Sequence, residues 1–116
     1  MSDAGMSEAA LQQAVIDLAR WAGYLHYHVS DSRRTRPGFP DLVLLHTGTG
    51  RLIFAELKSE KGRIRPEQDV WLHHLGQRHE AYVWRPTHWT NGTIRRVLTT
   101  DAASGAPAGR GEAVAP

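Results

Sequence analysis

The chain has no cysteine among its 116 residues, which excludes disulfides and thiolate-based zinc sites. It has no apolar run approaching the roughly 20 residues that a membrane-spanning helix needs. Its N-terminus has neither the basic start nor the apolar segment of a signal peptide, so the expected setting is a soluble, cytoplasmic one. Lysine is scarce: only Lys58 and Lys61 stand among 14 basic residues. Where arginine is the default cation, a lysine next to acids carries information, because the two side chains are not interchangeable. There is no large charge excess either. A net charge of +2, with 22% charged and 41% hydrophobic residues, describes one small globular domain with a modest core. No internal repeat interrupts it.

What is present is organised around residues 38–58. Two apolar runs, Leu42-Val43-Leu44-Leu45 and Leu52-Ile53-Phe54-Ala55, flank a Thr/Gly-rich turn at 47–50 and read as a β-hairpin. Asp41 opens the first run; Glu56 and Lys58 close the second. The start of one hairpin strand lies beside the end of the other, so these three should converge. Strand side chains alternate faces, so Glu56 and Lys58 point one way and Leu57 the other. Two carboxylates and an ammonium at the edge of a buried sheet are costly unless they pair or bind a cation.

The remaining chain frames this hairpin. Residues 1–6 read as a flexible start. Ser7 suits a helix N-cap, and Leu11, Ala14, Val15, Leu18 and Ala22 recur at helical spacing up to Gly23. Residues 24–29 read as a first strand, 41–46 as a second and 51–58 as a third. Pro66 suits the first turn of a second helix, carried by Val70, Leu72, His73 and Leu75 to Gly76. Residues 81–84 form a fourth strand, Pro86 breaks the pattern, and 93–98 form a short amphipathic helix. From residue 101 the chain is Ala, Gly and Pro without periodicity and reads as a disordered tail. The domain proper is thus 7–100. The order α-β-β-β-α-β predicts an α/β fold with a mixed four-stranded sheet between helices, and the crossover from the third strand to the fourth is parallel and right-handed.

Two arginine-rich clusters flank the hairpin at the acidic end: Arg33, Arg34 and Arg36 before it, Lys61, Arg63 and Arg65 after it. Solvated loops account for either cluster alone; their common location suits a polyanion brought to the acids. Asp41, Glu56 and the carbonyl of Leu57 are oxygen ligands of the kind Mg²⁺ or Mn²⁺ prefers, and a bound ion makes a nucleophile of water. Lys58 could orient that water or neutralise charge on a phosphate. Glu8 and Gln68 could assist from the starts of the two helices. An acid followed some fifteen residues later by Glu-x-Lys also arises by chance, as an exposed strand edge. Seven histidines show no zinc-ligand spacing.

Pro40-Asp41 followed by Glu56-Leu57-Lys58 after a hairpin resembles the signature of the PD-(D/E)XK nuclease superfamily. Glu8 in the first helix, residues 38–42, Ala55-Glu56-Leu57-Lys58-Ser59, Gln68, Gly76 and Arg85-Pro86 resemble its VRR-NUC branch over residues 7–98. The resemblance implies a restriction-endonuclease-like core and a Mg²⁺- or Mn²⁺-dependent deoxyribonuclease. Glu8, Asp41 and Glu56 would be metal-site acids, Lys58 the catalytic lysine and Gln68 an accessory residue. Stand-alone, phage-type members of this size are similar to homodimeric Holliday-junction resolvases, which implies a homodimer acting on branched or structured DNA such as a junction or flap. Trp71 and Trp89 are candidates for an apolar contact surface, or for ordinary packing. A non-catalytic DNA-binding module of the same fold and a nuclease targeted by a partner protein are the alternatives.

Overall fold

The computed structural model describes residues 5–29 and 36–100. Its elements in order are α1 (Glu8–Trp21), β1 (Tyr24–His28), β2 (Leu42–His46), β3 (Leu52–Leu57), α2 (Pro66–Leu75), β4 (Glu80–Trp84), α3 (Pro86–Thr90) and α4 (Thr93–Thr99). The expected α/β architecture is present: one four-stranded mixed sheet in the order β1-β2-β3-β4. The first three strands are antiparallel neighbours, and β3 and β4 are parallel. The parallel pair follows from the intervening α2, because parallel strands need a crossover.

Residue alternation divides the sheet into two faces. Leu42, Leu44, Ile53, Ala55, Leu57, Tyr82 and Trp84 point into the main core, where α1 contributes Leu11, Val15, Ile16, Leu18 and Ala19, and α4 contributes Ile94 and Leu98. Each large aliphatic side chain sealed here contributes about 1.5–3 kcal/mol. Ser7 caps α1 by accepting the Ala10 N–H at 3.0 Å. At its other end Gly23 turns the chain with φ +97°, a conformation that glycine adopts without strain. The opposite face holds a smaller cluster in which Leu72 of α2 packs on Ala81 and Val83, with Phe54, Ile64 and Leu75 beside them.

The β2–β3 hairpin is closed by His46. Its Nδ1 accepts the backbone N–H groups of Gly48 and Thr49 at 3.0 and 3.1 Å, so this histidine is a turn cap. Two expectations are corrected, and one open alternative is decided for packing. Val70, assigned to the inward stripe of the second helix, is 57% exposed; the sheet is met instead by Gln68 and Leu72, one helical turn apart. Pro86 does not end regular structure but opens the five-residue α3 as its first residue, where its missing N–H costs nothing. Trp71 and Trp89 are both partly buried: the Trp71 Nε1–H donates to the Pro37 carbonyl at 3.1 Å, and Trp89 packs against the main core. The exposed tryptophan is Trp21, at 75%. The expected tail at 101–116 and most of the expected flexible start, residues 1–4, lie outside the described residues.

Candidate active site

Hairpin register brings the acids together. The last β2–β3 pair is Leu42 with Ala55, so one step further Asp41 meets Glu56. The contact is direct at the neighbouring residue: Asp41 Oδ2 accepts the Leu57 N–H at 2.9 Å. The Val29 N–H donates to the Asp41 carbonyl at 3.0 Å, which ties the acid to the end of β1 as well. Because Ala55 and Leu57 face the main core, Glu56 and Lys58 must face the α2 layer. The Lys58 Nζ lies 3.8 Å from Glu56 Oε2, with only 12% and 3% of the two side chains exposed.

Gln68 completes the cluster from α2. The Arg65 backbone N–H, which can only donate, meets Gln68 Oε1 at 2.9 Å. That fixes the amide orientation, so Nε2 faces Glu56 and donates to its Oε2 at 2.9 Å. Gln68 thus caps its own helix with one end of the amide and holds the buried carboxylate with the other. Burial, and then the negative charge of Asp41, push the Glu56 carboxyl up to about 8, against the opposing pull of Lys58. Among the described residues, Glu56 Oε1 is buried with no hydrogen-bond partner. An orphaned carboxylate oxygen beside a second carboxylate is expensive in a protein interior and becomes favourable when a hard cation takes its place in the ledger of charges. The donor set of Asp41, Glu56 and the Leu57 carbonyl therefore fits Mg²⁺ or Mn²⁺.

The approach to Asp41 is held against α2. Gly38 has φ +96°, and a Cβ there would lie 2.4 Å from the Glu67 carbonyl oxygen, so only glycine allows the loop to pass so close to the helix start. Phe39 meets Trp71 and Phe54 edge-on, with centroids 5.1 and 6.1 Å apart. After Lys58 the chain is held as firmly. The Arg85 Nη1 donates to the carbonyls of Ser59, Glu60 and Gly62 at 2.8, 3.2 and 2.7 Å. The Glu60 carboxylate accepts the Thr87 N–H at 2.9 Å and also the Thr87 hydroxyl. Lys61, Arg63 and Arg65 stay exposed on this anchored loop, and Arg36, two residues before Gly38, is exposed as well.

A family model, the VRR-NUC domain, matches residues 2–86. The chain belongs to the VRR-NUC domain family. This is a nuclease family, and the match ends at Pro86, just past the Arg85 that anchors the basic loop. No curated protein and no solved structure matches the chain.

The structure brings Asp41, Glu56, Leu57, Lys58 and Gln68 into one cluster. Glu8 lies exposed in the first turn of α1. Among the described residues no group of three His, Cys, Asp or Glu side chains is placed to hold a metal. Arg33 and Arg34 lie outside the described residues. Sequence reasoning listed Arg85 only as part of a pattern. The clamp it forms depends on a loop 23 to 26 residues away in the chain, and no local signal announces it.

Proposed function

We propose that this VRR-NUC protein is a Mg²⁺- or Mn²⁺-dependent endodeoxyribonuclease that hydrolyses phosphodiester bonds in branched DNA, a Holliday junction or a flap. The observation that carries the reading is the buried Glu56 carboxyl beside Asp41 and Lys58, with one oxygen unpartnered. Asp41, Glu56 and the Leu57 carbonyl would hold the ion, with Glu8 contributing through water. When bound, the cation supplies a water of lowered pKa and offsets charge developing on the phosphate. Lys58, kept beside Glu56, is positioned to donate to that water or to a non-bridging phosphate oxygen. Gln68 keeps the Glu56 carboxylate in one orientation by its hydrogen bond. Arg36, Lys61, Arg63 and Arg65, with Arg33 and Arg34, bind backbone phosphates on either side and set the salt dependence of binding.

The family implies a homodimer, which would present two such sites to two strands of one junction. No helix among the described residues is long and apolar enough to cross a membrane, and the reading places the protein with DNA in the cytoplasm of a bacterial or phage-infected cell. The test is a panel of junction, flap, nicked and linear duplex substrates with each metal. The wild type nicks branched DNA, and Asp41→Ala or Lys58→Ala abolishes cleavage while leaving binding largely intact. If the wild type binds these substrates and cuts none with either metal, the protein is a non-catalytic binding module. If it cuts only in the presence of another protein, it is a partner-targeted nuclease.

A further inference from the structure

Among the described residues, no helix lies over half of the sheet face that carries the site. α2 covers β4 and Phe54 of β3. On β1 and β2 the same face presents Leu25, Tyr27 and Leu45, which are 61%, 66% and 39% exposed. They are contiguous: Leu25 pairs with Leu45, and Tyr27 pairs with Val43. They also run straight into the site, because Asp41, Val43 and Leu45 alternate onto one face of β2 while Leu42 and Leu44 face the core. Asp41 lies two residues beyond Val43, about 7 Å along the strand. The next row across the sheet is Tyr27, Val43 and Phe54.

A contiguous exposed apolar patch is often functional, and its size and rim decide between two occupants. An aromatic side chain carries about 150–250 Å², so Tyr27 and two leucines at these exposures present on the order of 300–400 Å². A stable dimer needs about 800 Å² per partner, so a second copy would not be held by this patch alone. A flat, sheet-borne aromatic with apolar neighbours matches the face of one nucleobase, the arrangement by which sheets hold unpaired bases. The cation Lys58 borders the site at this end of the sheet, where the phosphate of the same nucleotide would lie.

Building on the nuclease reading above, we propose that Tyr27, with Leu25 and Leu45, is a stacking platform for an unpaired nucleobase next to the scissile phosphate. It selects DNA with a disrupted stack at the branch point over fully paired duplex. Tyr27 is a binding residue and takes no part in bond cleavage.

The test uses a flap whose unpaired base beside the branch is 2-aminopurine, and a nicked duplex with every base paired. Three variants, Tyr27→Ala, Tyr27→Thr and Tyr27→Phe, are compared with the wild type; Thr preserves strand propensity at an edge position. Wild-type protein quenches the 2-aminopurine, Tyr27→Phe retains the quenching, and the Ala and Thr variants lose it. On the flap, Ala and Thr raise KM about 5- to 100-fold with kcat within about twofold, the range that loss of one base stack produces. On the nicked duplex their KM stays within about twofold. Equal losses on both substrates overturn the platform. So does a wild-type dimer that Tyr27→Ala converts to monomer in light scattering, which assigns the face to self-association. Quenching does not require cleavage, so the two readings fail separately. Wild type that quenches but cuts nothing retains the platform and loses the nuclease; wild type that cuts without quenching does the reverse.

Discussion

The side-chain amide of Gln68 bridges the backbone N–H of Arg65 and the carboxylate of Glu56, at 2.9 Å on each side. One residue therefore couples the start of α2 to the central acid of the site. Gln68→Ala removes the 2.9 Å hydrogen bond to Glu56 Oε2 and unties the helix cap. The expected result is a 10- to 100-fold fall in kcat, the scale seen when a partner that orients a metal ligand is lost, with a smaller loss of helix stability. Gln68→Glu replaces a donor with a like charge and should lower kcat further. Single-turnover cleavage of a flap by the two variants checks the order.

Glu56 gives a pH dependence of stability with a definite sign. Without metal, the folded chain holds the Glu56 proton up to about pH 8, whereas the ordinary value is near 4.5. Between those values the folded state binds more protons than the unfolded state, so stability falls as pH rises through the window and levels off above it. In chelator, the Tm of the wild type should fall from pH 5 to pH 8 more than that of Glu56→Gln, which stays neutral throughout. Added Mn²⁺ should raise the wild-type Tm most near pH 8, where the carboxyl is giving up its proton, and should raise that of Glu56→Gln least. Parallel Tm curves for the two proteins in chelator would contradict this account of the buried acid.

Gly38→Ala should be among the most damaging of the methyl additions. A left-handed backbone costs about 1–2 kcal/mol for a residue with a Cβ, and the new atom would press on the Glu67 carbonyl. The expected loss is about 2 kcal/mol or more by denaturant unfolding, with reduced cleavage even in the folded fraction, because the loop leads into Asp41. Gly50, with φ +79° but nothing within 4 Å, should lose only the backbone part.

A second charged cluster lies at the other end of β3 and separates stability from activity. Arg51 clamps Glu80 at 2.6 and 2.7 Å and reaches the Tyr24 hydroxyl at 3.1 Å, while the Tyr82 hydroxyl donates to Glu80 at 2.7 Å. The pair is nine-tenths buried. Arg51→Met strands Glu80 and should cost about 3–5 kcal/mol, whereas Arg51→Met with Glu80→Met should cost less than the single change. Cleavage by the folded fraction of the double variant should be close to wild type.

The site was legible in sequence to the extent that it is local. Asp41, Glu56 and Lys58 sit on one hairpin, and a two-residue alternation with a short turn suffices to bring them together. Pro66 was readable as a helix start and Gln68 as a residue placed to assist from it, although not the hydrogen bond it makes to Glu56. Long-range pairings were not legible. Arg51 with Glu80, and Arg85 with residues 59–62, join segments more than twenty residues apart, and a charged side chain at a strand end looks the same whether it meets water or a buried partner. Val70 misled because a ten-residue helix with weak amphipathy offers more than one plausible stripe. Tyr27 and Leu25 look like ordinary strand residues until it is known that α2 covers only the far half of the sheet.

The three helices α1, α3 and α4 seal the other face of the sheet, so each copy of the chain has one working side. On the proposed nuclease reading, a single molecule would address one backbone of a duplex per encounter, and its product would be a nick. Severing both strands together would then depend on geometry outside the protomer, either two copies set across a symmetric branch or one copy that lets go, turns round and lands again.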